Sequence, residues 1–137
     1  MNYEERREKI KLLFLELIDN KEQLRSFLNV PEGQYSLITL DASVLDRLLV
    51  DIYSVLQRSD DLVNTLLTLR RQIRVCNAKT TIFFSQMAMP LVNQKRIASE
   101  HNAFMKEKAE HLIPFIDDAL GVIEAEYNLH IPSIDAV

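Results

Sequence analysis

Residues 42–89 contain neither glycine nor proline, and the whole 137-residue chain holds only 2 Gly and 4 Pro. Average usage would supply about 9 Gly and 7 Pro. Turns are therefore scarce, and the elements between them must be long. A β-sandwich or a doubly wound sheet needs many more turn residues. The sequence predicts an all-α fold: an antiparallel bundle of about three long amphipathic helices, in a single helical domain over residues 1–137. The 47% hydrophobic fraction supplies a core and argues against disorder.

Apolar spacing places the helices. Ile10, Leu13, Leu17, Leu24 and Leu28 recur at helical intervals, widened by Phe14 and Ile18, which predicts a helix over 3–28. Pro31 and Gly33 end it. A linker over 29–41 carries Tyr35, Leu37, Ile38 and Leu40, so it is expected to pack across the bundle. Asp41 or Ser43 then caps a long helix over 42–87. Its seam runs through Leu45, Leu49, Ile52, Leu56, Val63, Leu66 and Ile73. A continuous helix of that length would reach roughly 67 Å, so a bend is expected, with Thr80, Thr81 and Ile82 its weakest part. Pro90 breaks the chain before a helix over 91–127 built on Ala98, Met105, Ala109, Leu112, Ile116, Leu120 and Ile123. Pro114 inside that pattern predicts a kink or restart. The tail over 128–137 is expected to fray or dock loosely.

The net charge of −4 conceals a strong asymmetry. Residues 1–29 are neutral, 30–69 carry −4, 70–96 carry +6 and 97–137 carry −6. From Leu62 to Ser99 there is no Asp or Glu. Arg70, Arg74 and Asn77 share one helical face in this window, with Thr81 a turn further on. Guanidinium and amide groups on one face suit a phosphate or another multidentate anion. Arg71, Lys79, Lys95 and Arg96 complete the candidate anion-binding set. Two other readings compete: ion pairing with the acidic stretch Asp117–Glu126, and attraction to anionic lipid.

The segment from Phe83 to Val92 is unusually apolar for a helix junction. Phe83, Phe84, Met87 and Met89 are expected to pack in the core or in a subunit interface; the alternative is a tip that meets a membrane or partner. Seams this long on a three-helix subunit leave apolar surface, so a homo-oligomer is expected.

Catalytic chemistry is poorly represented. A di-iron bundle needs Glu-x-x-His pairs, and none occurs. His101, His111 and His130 are too few and too dispersed for a metal site, and His101 and His111 read as surface or interface residues. Gly33 and Gly121 cannot make a phosphate-cradling loop. Cys76, the single cysteine, lies near Arg71, Arg74 and Lys79, which could lower its pKa, but without an evident base it reads as a buried apolar residue. The adjacent carboxylates Asp60–Asp61 and Asp117–Asp118 diverge by about 100° on a helix and form no dyad. No enzyme and no cofactor is expected.

The run Glu16-Leu17-Ile18-Asp19-Asn20-Lys21-Glu22-Gln23-Leu24, the apolar linker and then Ile52-Tyr53-Ser54-Val55-Leu56 form a recurrent arrangement. It is similar to the soluble helical region of small prokaryotic membrane-associated proteins of unknown function. In those proteins a transmembrane segment precedes an amphipathic helix, and a second helix with an aromatic such as Tyr53 follows. The resemblance covers residues 10–70. It implies a membrane-linked segment absent from this chain. The single cysteine points to a reducing compartment, so a cytoplasmic location is expected, at the inner face of the membrane if that segment exists. Two functional expectations result. One is a non-enzymatic oligomerising helical module, the soluble part of a membrane-linked protein. The other is an anion-sensing domain that binds a nucleotide, a cyclic oligonucleotide or nucleic acid through residues 70–96.

Overall fold

Four helices make up the regular structure of the computed structural model, which describes residues 2–48, 60–90 and 92–129; no strand occurs among them. They are α1 (Tyr3–Arg25), α2 (Ser43–Leu48), α3 (Asp60–Met87) and α4 (Gln94–Tyr127). Leu49, Ile52 and Leu56 of the expected long seam, and Tyr53 of the family resemblance, lie outside the described residues, as does the tail from His130.

The start of α1 is fixed by Asn2, whose side chain accepts a hydrogen bond from the Glu5 N–H at 2.8 Å. Glu4 and Glu5 in the first turn and Arg25 in the last complement the helix dipole. The helix ends three residues before the apolar pattern does. Ser26 turns back onto the Gln23 carbonyl with both its N–H and its hydroxyl. Phe27 and Leu28 then bond to carbonyls only three residues earlier, a tighter winding that carries Phe27 into the core.

In α4 every residue of the predicted stripe, from Ala98 through Ile123, is buried. The helix begins at Gln94 rather than near Leu91, because the Asn93 side chain takes the Arg96 N–H. It continues through Pro114 without a restart. Pro114 and Glu110 both lie on the exposed side, where solvent can satisfy the Glu110 carbonyl that loses its amide. Asn128, in the left-handed conformation at φ 53°, ends the helix.

The main core joins Leu13, Leu17 and Leu24 of α1 to Leu66, Leu69 and Ile73 of α3 and to Met105, Ile116 and Ile123 of α4. A second, smaller cluster sits at the α3–α4 junction and contains Phe83, Ile97 and Ala98, with Met87 and Val92 packed on it. Cross-helix pairs give the register. Lys21 meets Asp117 at 2.6 Å, while Phe27 meets His101. Gln72 accepts from Lys108 at 2.8 Å, while Phe83 meets His101.

Candidate functional site

The candidate anion stripe on α3 is shaped by what holds the α1–α2 connection. That connection has no regular secondary structure over residues 34–42, so its backbone groups need partners from elsewhere. Three helix side chains supply them. Asn77 of α3 accepts from the Leu40 N–H and donates to the Leu40 carbonyl, both at 2.8 Å. Asn20 of α1 does the same for Asp41, at 2.8 and 2.6 Å. Glu16, one turn before Asn20, accepts from the N–H groups of Val44 and Leu45 at 2.8 and 3.0 Å, and from the Ser43 hydroxyl at 3.4 Å.

Glu16 therefore caps a helix to which it does not belong. Asp41 takes the remaining first-turn amide, that of Ser43, at 2.9 Å. Burial pushes the Glu16 carboxyl above its ordinary range, and the two backbone amides pull against that shift. The bonds from Ser43 hold Asp41 below its ordinary range.

This anchoring sets the electrostatics of the stripe. With α2 pinned by Glu16, Asp46 is delivered to Arg70 at 2.6 Å and to Arg74 at 3.9 Å. Asn77, expected to face a ligand, has both ends of its amide committed to Leu40. Thr81 donates to the Asn77 carbonyl at 3.1 Å. Arg71 is exposed and makes no ion pair among the described residues.

The other predicted cations are dispersed. Lys79 lies over the Phe104 ring at 5.4 Å, shared from the other side of the sequence by Lys108 at 5.7 Å. Lys95 and Arg96 approach Glu32 and Glu100, each at 3.9 Å. These four residues line a cleft of about 540 Å³ between the end of the α1 turn and the start of α4, with Ser99 and Asn102. Among the described residues of this chain, Asp117 of the acidic stretch pairs with Lys21 of α1, and the basic window meets Asp46, Glu32 and Glu100.

The apolar junction divides in two. Phe83 is buried in the second core cluster, so it is not displayed as an interface residue would be. Met87 is half-buried against it. Phe84 and Met89 project outward, 59% and 55% exposed, with Ile82 at 52%.

Phe83 stacks on His101, ring centroids 4.1 Å apart and nearly parallel at 10°. Tyr35 of the connection meets Phe83 edge-on at 5.3 Å, and Phe27 meets His101 edge-on at 6.4 Å. His101 is thus a core residue, not the surface or interface residue expected from sequence. Among the described residues neither ring nitrogen completes a hydrogen bond, although the Ser36 backbone approaches the ring. Burial, reinforced by the nearby Lys79 charge, holds its pKa below the ordinary value of 6.5, and the Ser36 backbone opposes the shift. Cys76 is also fully buried, and burial pushes its thiol up, with Lys108 acting weakly against it.

Sequence reasoning missed Glu16, Asn20 and His101. The available signal was position: each is polar yet falls on the apolar register of its helix, beside Leu17, between Leu17 and Leu24, and between Ala98 and Met105. Among the described residues no group of three His, Cys, Asp or Glu could hold a metal ion, and no helix is long and apolar enough to cross a membrane. Comparison with protein families, curated proteins and solved structures returned no match.

Proposed function

We propose that this chain is a non-enzymatic, oligomerising helical module whose long helices α1, α3 and α4 pack antiparallel, and that it serves as the soluble part of a membrane-linked assembly. The antiparallel arrangement is supported by the cross-helix pairs. Advancing from Lys21 of α1 to Phe27 in the turn just after it moves the partner back along α4 from Asp117 to His101. Advancing along α3 from Gln72 to Phe83 moves it back from Lys108 to the same His101.

The observation that carries the oligomer reading is the apolar display at the end of α3. Ile82, Phe84 and Met89 are each more than half exposed within one short stretch. Single exposed apolar residues are ordinary; here Ile82 and Phe84 lie about 160° apart around α3, on either side of buried Phe83, so the end of the helix offers apolar contact on two flanks. Sedimentation velocity from low to high micromolar concentration tests it. The expected result is self-association that weakens in a Phe84→Glu, Met89→Glu double variant. A strict monomer over the whole range overturns the reading.

The second reading, anion sensing, is favoured by one specific imbalance. Among the described residues Arg70, Arg71 and Arg74 have a single carboxylate among them, that of Asp46, which leaves an excess of cations on this part of α3. A phosphate-bearing ligand would compete with Asp46 for Arg74, the looser of its two partners.

A further inference from the structure

His101 occupies an unusual chemical position. It is 1% exposed, at the end of the bundle where three separate stretches of chain meet: the turn after α1, the α1–α2 connection and α3. A buried polar group normally finds a hydrogen-bond partner, and an orphan is costly. This imidazole has aromatic faces and edges around it instead.

The stack also carries a strap. Tyr35 is held to the bundle by its edge contact with Phe83. One residue earlier, the Gln34 carbonyl accepts from the Asn102 side chain at 2.8 Å. One residue later, the Ser36 backbone lies beside the imidazole. Residues 34–36 are therefore fastened to α3 and α4 through His101 and its immediate neighbours. We propose that His101 makes this fastening an acid-labile latch, in which a proton on the buried ring breaks the aromatic stack and frees the strap around Tyr35.

The charges that face the ring favour this direction. From α3 comes the Lys79 ammonium, which repels an imidazolium. The turn after α1 contributes Phe27, and the connection contributes Tyr35 and the Ser36 backbone, none of them anionic at neutral pH. On α4 itself the neighbour Asn102 is neutral, and the other neighbour, Glu100, is an exposed carboxylate that pairs with Arg96 at 3.9 Å. Among the described residues no carboxylate pairs with His101. A proton arriving there gains no counter-ion and must be carried in apolar surroundings. Release would uncover Phe83 and Phe27 next to the already exposed Phe84. The latch stands on this geometry whether or not the chain self-associates.

The sign follows from linkage. A histidine whose pKa is lower in the folded state is neutral in both states above about pH 6.5, and there the latch is intact. As pH falls below that value, the open state takes up the proton first, and closure weakens until the folded pKa is passed. One pH unit below 6.5 the opening equilibrium rises by up to about tenfold.

The test compares amide hydrogen exchange, corrected for intrinsic pH dependence, at pH 7.5 and pH 5.5. Protection at Gln34 and Ile38, whose N–H groups bond to the Pro31 carbonyl and the Ser36 hydroxyl, is expected to drop several-fold at pH 5.5, while Leu13 and Leu17 keep theirs. In His101→Phe, which keeps the ring and removes the proton site, the drop is expected to vanish. An equal drop in both proteins overturns the proposal. If His101→Phe does not fold, ring-proton NMR of the wild-type chain decides: His101 must titrate below the ordinary value of 6.5, and a midpoint at or above it overturns the latch.

Discussion

The α1–α2 connection is anchored at two places, and the two anchors handle buried polarity in opposite ways. Near its end, Glu16, Asn20 and Asn77 bring polar side chains to the buried face and use them on backbone groups of Leu40, Asp41, Val44 and Leu45. Near its middle, His101 brings a polar ring to the core, and neither nitrogen completes a bond among the described residues. The first anchor gains specificity, because only one placement of the connection satisfies those amides. The second gains packing area, but its strength depends on protonation. Satisfied polar groups fix a structure; unsatisfied ones make it conditional.

Substitutions can break this contrast. The largest effect is expected at the aromatic anchor. Phe83→Ala removes a fully buried ring stacked on His101 and should cost about 3–4 kcal/mol in urea denaturation. Should that loss stay below about 1 kcal/mol, the second cluster is no anchor. Next comes the polar anchor. Glu16→Ala strands the first-turn amides of α2 and should cost about 2–3 kcal/mol, whereas Glu16→Gln keeps an acceptor and should recover at least half. Because burial raises the Glu16 carboxyl, the folded state favours its neutral form. Its contribution is thus most favourable below the ordinary carboxyl range and declines as pH rises through the folded pKa. Equal losses in the two variants at neutral pH would show that the cap needs both carboxylate oxygens, since Gln keeps the volume and only one acceptor.

The smallest effect belongs to the surface downstream of that anchor. Arg74 is 59% exposed and 3.9 Å from Asp46, so Arg74→Ala should change stability by no more than about 0.5 kcal/mol. The same variant sharpens the anion reading. Thermal shift at low salt with polyphosphate and cyclic oligonucleotides should stabilise the wild-type chain and not Arg74→Ala. Absence of any shift in the wild type leaves Arg70 and Arg74 as partners of Asp46 alone.

Most of the described helical fold was legible, because apolar periodicity is a local signal that packing then reinforces. The stripe from Ala98 to Ile123 is buried residue for residue. Helix ends were less legible, since they depend on single side chains: Ser26 ended α1 early and Asn93 delayed α4. The basic window could be read as charge, but its partners could not. Asp46 reaches Arg70 only because Glu16, from a different helix, fixes where α2 sits. Such a chain of non-local contacts leaves no spacing to recognise. Asn77 shows the same limit: its place on the stripe was right, and its amide was spent on a backbone some 37 residues away in sequence.

Cys76 gives the molecule a built-in clock. It is the chain's only thiol, it lies in the main core on α3, and it is fully shielded from solvent. An alkylating reagent can reach it only when α3 separates from its neighbours, so the labelling rate at saturating reagent equals the rate of that opening. The strap around Tyr35 could come and go many times without a single modification. A protein with one buried sulfur thus separates two motions by chemistry: events at the end of the bundle leave no mark, and loss of the core is recorded permanently.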